Sequence, residues 1–179
     1  MNETKKWYIA YTRPGQEKKV SESLSRKKIE SYCPLNCTTY QASYGKKTIL
    51  QVLFCSYSFV RISETQIPEL RNIKGVINLV FWLNKPVIVP DHEINVIREF
   101  LHEHKSVTLE KITIDQKVRF ATSLLTENKE QGIYVGNNTA KAILPSLGYV
   151  MTAEVRAAIE MPVPHFLPRL RSIMDKIVG

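Results

Sequence analysis

Two short aromatic runs, Lys6-Trp7-Tyr8-Ile9-Ala10-Tyr11 and Leu53-Phe54-Cys55-Ser56-Tyr57-Ser58-Phe59-Val60-Arg61-Ile62, restrict the fold more than any other part of the chain. Aromatic and β-branched residues suit a pleated, half-buried surface, so both runs read as strands. Side chains alternate in direction along a strand, which puts Trp7, Ile9 and Tyr11 on one face and Tyr8 and Ala10 on the other. In the longer run Leu53, Cys55, Tyr57 and Phe59 oppose Phe54, Ser56 and Ser58. Aromatics on both faces predict a sheet that packs helices on one side and keeps the other for a partner.

The segments around these strands predict an α+β fold. After the first strand, Arg13-Pro14-Gly15 makes a turn, because proline's fixed φ suits a turn or the first position of a helix. A helix is expected from about residue 15 to 29, with Val20, Leu24 and Ile29 facing inward. Residues 39–62 read as a hairpin with its tip at Tyr44-Gly45-Lys46-Lys47. Ser63 is the expected cap of a short helix, and Val76 to Phe81 a buried strand. Lys85 to Pro90 reads as an edge segment, since its prolines cannot donate to a ladder. Asp91 is the expected cap of a third helix carrying Ile94, Ile97, Phe100 and Leu101.

Beyond His104 the pattern changes. Residues 1–104 are expected to form one domain and 105–113 a polar linker. Residues 114–162 carry short β runs, Lys117-Val118-Arg119-Phe120, Gly132-Ile133-Tyr134-Val135, Thr139 to Leu144 and Tyr149 to Thr152, which suit a small bent barrel. In residues 163–179, Phe166, Leu167, Leu170, Ile173, Met174 and Ile177 recur at helical intervals and predict an amphipathic tail helix.

The formal charge is +8, and most of it lies near the amino terminus. Between Lys5 and Lys28 eight basic residues face only Glu17 and Glu22. Such a segment attracts phosphates or an acidic protein surface from a distance, and salt weakens that attraction. No run reaches the length of a membrane span, and the polar start lacks the apolar stretch of a secretory signal, so a cytoplasmic protein is expected. Cys33, Cys37 and Cys55 form no disulfide framework. Cys33 and Cys37 lack a second pair, and His102 and His104 lack helical i, i+4 spacing, so no metal site is expected. No nucleophile triad, phosphate-cradling glycine loop or paired-carboxylate motif stands out, which argues against an enzyme and against a cofactor.

Five separated signatures resemble the NusG amino-terminal domain: Trp7 to Tyr11, Gly15-Gln16-Glu17, Leu53 to Val60, Arg71-Asn72-Ile73-Lys74-Gly75-Val76 and Lys85-Pro86-Val87. The following β runs are similar to the KOW domain that accompanies it. The resemblance implies an antiparallel sheet with flanking helices, then a KOW-type barrel and the tail helix. Where the family usually has Phe-Pro-Gly-Tyr, this chain has Phe54-Cys55-Ser56-Tyr57. Together with the charge, this looks like a specialised, operon-directed paralogue of the RfaH or UpxY type.

What the resemblance implies is a monomeric transcription elongation and antitermination factor. Its amino-terminal domain would bind the clamp helices of bacterial RNA polymerase and suppress pausing and termination. Carried over by position, Tyr11, Phe54, Tyr57 and Phe81 would meet the clamp, and Gln66, Ile67 and Glu69 the opposite side of the channel. Arg13, Gln16, Lys18 and Lys74 would face upstream or non-template DNA, and the barrel a ribosomal protein. An alternative is a KOW-domain protein that binds RNA or the ribosome. In RfaH the carboxy-terminal domain covers the clamp-binding surface, and the same arrangement is a further expectation.

Overall fold

The computed structural model describes residues 4–112, 133–136 and 138–155. Its centre is β1 (Lys6–Thr12), whose alternation divides the protein into two apolar layers. Tyr8 and Ala10 face one layer with Val20 and Leu24 of α1 (Glu17–Arg26) and Leu70. Trp7 and Ile9 face the other, with Phe54, Phe59, Ile94, Ile97 and Phe100. The expected sharing of faces along the first strand is therefore observed. Helix α1 stops at Arg26, short of the expected Ile29, because Lys28 turns into the left-handed region at φ 58°.

Three strands follow in different roles. β2 (Glu30–Tyr32) joins the edge of the main sheet, whereas β3 (Leu35–Ala42) and β4 (Gly45–Val52) pair only with each other. Their ribbon turns at Ser43-Tyr44, so the predicted tip lies at the reversal. The predicted second arm, however, does not continue to Ile62. The chain leaves the ribbon at Val52, turns through residues 53–56, and only then enters β5 (Tyr57–Ile62). Ser56 at φ 65° is the cause: a residue in the left-handed region breaks the pleat, so Leu53 to Ser56 is a turn and not part of a strand.

β5 pairs antiparallel with β1 from Lys6↔Ile62 to Tyr11↔Tyr57, and with β2 on its other edge. A single 3₁₀ turn (Glu64–Gln66) leads into α2 (Ile67–Leu70), with Gln66 Oε1 accepting the Ser63 N–H at 3.2 Å. β6 (Val76–Leu79) pairs with the end of β1. The expected single strand through Phe81 is interrupted there, and β7 (Phe81–Trp82) and β8 (Lys85–Pro86) form a separate small hairpin. β9 (Ile88–Val89) returns to β1 beside Trp7 and Tyr8.

Helix α3 (Asp91–Glu103) then covers the Trp7 face. Asp91 is its first residue and not its cap, which is Pro90. Its carboxylate instead accepts the Trp7 indole N–H at 3.0 Å and pairs with Arg61 at 3.4 Å. Past α3, Asn36 is buried and bonds both backbone groups of Val107, at 2.7 and 3.0 Å. Part of the expected linker is a strand: β10 (Thr108–Lys111) pairs with residues 149–152. β11 (Ile133–Gly136), β12 (Thr139–Leu144) and β13 (Tyr149–Glu154) complete a four-stranded antiparallel sheet in the order β10-β13-β12-β11. The expected strand at Val118 to Phe120 and the tail helix lie outside the described residues.

This second sheet packs against the first. Ala140, Ala142, Leu144, Met151 and Ala153 belong to the same apolar layer as Trp7, Phe59 and Phe100. The sheet face expected to stay free is thus partly covered by the chain's own α3 and carboxy-terminal strands.

Gly75 joins the turn after α2 to the start of α1. It holds φ 99°, and a Cβ there would lie 2.9 Å from Val20 Cγ2 and 3.3 Å from Gln16 Cβ. Gly75→Ala combines backbone strain with overpacking, and is expected to destabilise the protein by about 2 kcal/mol in urea unfolding.

Candidate partner-binding cavity and basic edge

The turn at 53–56 is placed by an acid far from it in sequence. Glu17 is buried in α1, and its Oε1 accepts the Ser56 N–H at 2.7 Å, while Ser56 C=O accepts the Thr12 N–H at 2.8 Å. The turn thereby holds Phe54 inward, edge-on to Phe59 with ring centroids 5.6 Å apart. Just beyond it, Tyr57 stands across from Tyr11, their rings 6.0 Å apart. Phe54, Tyr57 and Phe59 form the floor and one rim of an apolar cavity, and Tyr11 stands beside that rim.

The opposite rim is the β7–β8 hairpin. Leu83 and Asn84 both adopt positive φ, 47° and 61°, as a two-residue hairpin turn of the primed type requires. A leucine there costs roughly 1 kcal/mol. Its side chain is 82% exposed, beside Trp82 at 73% and Phe81 at 43%. Together with Val80, Val87 and Ile9 this rim encloses a volume of about 750 Å³. Trp82 and Leu83 were not singled out from the sequence, although an apolar pair leading into Asn84 at a turn is a legible signal.

The cavity is roofed on one side by the β12–β13 turn, residues 145–148, and by Tyr149 at the start of β13. Tyr149 packs edge-on to Phe54 at 6.0 Å, so that Phe54 is only 4% exposed. Glu93 of α3 holds the turn: its Oε1 accepts the Ser146 N–H at 3.0 Å. The carboxyl is buried and its Oε2 has no hydrogen-bond partner. Burial pushes its pKa up, opposed by the bonds from Ser146 and by His92. Nothing in the local sequence marks Glu93, because its partner lies 53 residues away.

Of the residues implicated by resemblance, Phe54, Tyr57 and Phe81 thus line one cavity, and Tyr11 adjoins it through Tyr57. Tyr11 and Phe81 are exposed, Tyr57 is half-buried and Phe54 is in the floor. Gln66, Ile67 and Glu69 lie apart from it, where α2 packs on the Tyr8 layer. Ile67 is half-buried against that layer and Glu69 is exposed. The basic group converges elsewhere. Arg13 N–H donates to Gly75 C=O at 2.9 Å, which brings Arg13, Gln16 and Lys74 to one edge. Lys18 extends that edge, its Nζ donating to Leu50 C=O at 3.0 Å.

Among the described residues no group of three His, Cys, Asp or Glu side chains is arranged to hold a metal. The three cysteines are free, and burial pushes the Cys33 thiol up to about 11. Such a thiol stays protonated at neutral pH and is a poor nucleophile. No helix among the described residues is long and apolar enough to cross a membrane.

Residues 5–98 match the family described as NusG, transcription termination factor nusG. No curated protein matches the chain. Among solved structures, one described as "Domain interaction in Thermotoga maritima NusG" is 21% identical, covering 78% of this chain and 78% of that one with a TM-score of 0.40.

Ser56 and Glu93 each carry an expected outcome. Ser56→Gly removes a side chain from a left-handed position and is expected to stabilise the fold by a few tenths of a kcal/mol to about 1 kcal/mol, read by urea unfolding. A larger unfolded-state entropy for glycine keeps the gain small. For Glu93, the folded-state pKa lies above the unfolded one, so the folded protein binds the proton more tightly. This stabilising contribution is full below the ordinary value of 4.5 and is lost as pH rises through the folded value. Unfolding midpoints measured from pH 4 upward are therefore expected to fall for the wild type relative to Glu93→Gln, which carries no titrating group.

Proposed function

Taking as premise that the chain belongs to the NusG family of transcription factors, we propose that it is an elongation and antitermination factor that docks on the clamp helices of bacterial RNA polymerase through the aromatic cavity. The observation that carries this reading is the exposure of Phe81, Trp82 and Leu83 on the rim of an apolar cavity, with the exposed Tyr11 beside its Tyr57. Large apolar side chains grouped at one concave site are the usual anchors of a protein interface. Docked there, the domain spans the main channel, with Gln66, Ile67 and Glu69 toward its far side, and suppresses pausing and termination. The basic edge of Arg13, Gln16, Lys18 and Lys74 faces the upstream or non-template DNA strand.

Ser56 at φ 65°, where the family's usual glycine adopts that conformation without strain, supports the reading of a specialised, operon-directed paralogue of the RfaH or UpxY type. The packing of Tyr149 over Phe54, beside the 145–148 turn, supports a further element of the proposal: polymerase binding competes with the carboxy-terminal sheet, which must move aside. The free energy of that displacement lowers the apparent affinity of the full chain.

Binding of the full-length protein to the core enzyme tests both parts. Tyr57→Ala is expected to weaken binding at least tenfold with the fold intact, since a half-buried aromatic anchor contributes 1.4 kcal/mol or more. Tyr149→Ala removes the ring that covers Phe54 and is expected to strengthen binding several-fold. Unchanged affinity of a folded Tyr57→Ala protein sinks the docking surface. Unchanged affinity of Tyr149→Ala sinks the competition alone.

A further inference from the structure

We infer that the aromatic cavity is also a small-molecule site, and that it takes a flat aromatic carboxylate as an effector that opposes polymerase docking. Protein interiors are close-packed, with few voids larger than a water molecule. Between the sheet, the β7–β8 hairpin and the 145–148 turn, however, the protein leaves a recess of about 750 Å³. Pockets that bury a small ligand run to roughly 300–1,000 Å³ and are mostly apolar, with a few polar groups that fix orientation. The recess has both properties.

The lining indicates the body of the ligand. Phe54, Tyr57 and Phe59 line the recess from the main sheet and its turn, Phe81 and Trp82 from the hairpin, and Tyr149 from the second sheet. Part of this lining is held by its own packing, since Phe54 stands edge-on to Phe59 at 5.6 Å and to Tyr149 at 6.0 Å. Aromatic rings favour offset-stacked or edge-to-face neighbours with centroids roughly 4.5–7 Å apart, so a flat ring gains more here than an aliphatic chain.

Charge indicates its head. Among the described lining residues Lys85 is the one that carries a charge, and no Asp or Glu lines the recess. Lys85 pairs with Trp82 across the hairpin, and cross-strand partners project from the same face, so an ammonium and an indole stand together at the mouth. A carboxylate there meets the lysine while its ring lies among the aromatics below. The formal charge of +8 also favours the arrival of an anion.

Occupancy acts on the cover. Phe54 belongs to the floor and Tyr149 to the covering sheet, and both line the recess, so a ligand in it touches both. Such a ligand binds the covered form better than the uncovered one and shifts the protein toward it. The effector role rests on the docking reading proposed above, whereas the site rests on the cavity alone.

Isothermal titration of the full chain with naphthoate, without polymerase, tests the site. One molecule is expected to bind with a dissociation constant on the order of 0.1 mM, and with the negative heat-capacity change that marks apolar burial. Naphthamide, of the same shape without the charge, is expected to bind about threefold more weakly, and Lys85→Gln to remove that difference, because an exposed ion pair contributes little. Val87 lines the recess, and Val87→Phe puts a ring into it, which is expected to weaken binding about tenfold or more. Lys85→Gln changes an exposed side chain and keeps the test open should Val87→Phe fail to fold. No binding by the folded wild type at about 1 mM overturns the site. Full affinity in a folded Val87→Phe protein overturns it too. Equal affinity for the amide overturns the anion, and tighter binding of octanoate overturns the aromatic body. Saturating naphthoate is then expected to weaken binding of the wild type to polymerase severalfold. Unchanged polymerase affinity in a protein that binds naphthoate overturns the effector role. Failure of the docking reading is distinguished by the ligand-free protein, which then binds no polymerase.

Discussion

The protein depends on one strand that has no free side. β1 is bonded along one edge to β5 and along the other to β6 and β9, and Trp7, Tyr8, Ile9 and Ala10 are all buried. Burying a large apolar side chain stabilises by about 1.5–3 kcal/mol, so these consecutive residues hold two layers together at once. Tyr8 and Ala10 hold α1 and α2 to the sheet, and Trp7 and Ile9 hold α3 and the carboxy-terminal strands. A polar replacement in β1 loosens both.

That arrangement also couples the candidate site to its cover. Phe54, in the cavity floor, packs on Phe59 of the sheet and on Tyr149 of the second sheet. The same apolar layer contains Met151 and Leu144 from one sheet and Ile9 from the other. The floor of the apolar cavity is thereby stabilised by Tyr149, 95 positions from Phe54 along the chain. Glu93 adds an unusual element, since it reaches the covering turn with one carboxylate oxygen and buries the other without a partner.

The features visible in the sequence were those with short-range causes. The alternation of Trp7 to Tyr11, the glycine-bearing reversal at Tyr44-Gly45 and the stripe of Val20 and Leu24 each depend on neighbours within a few residues. The strand at Thr139 to Leu144 was legible for the same reason. Features set by distant partners were not. β10 looks like polar linker because its pairing comes from residues 149–152. Leu53 to Ser56 looks like strand because no glycine announces the left-handed turn that Glu17 secures. Of the candidate site, the aromatic floor was legible, but the rim of Trp82 and Leu83 and the latch of Glu93 required the tertiary arrangement.

The order of β1 before all its edge partners also sets a problem for the newborn protein. Its last edge partner, Val89, is made 77 residues after Thr12, which at ribosomal speeds of 5–20 residues per second is a delay of roughly 4–15 s. During that interval a strand whose Trp7, Tyr8, Ile9 and Ala10 are all buried in the fold has been made without all of its neighbours. It is then a ready substrate for a ribosome-associated chaperone, and the cell's capacity to shield it becomes part of what the fold requires.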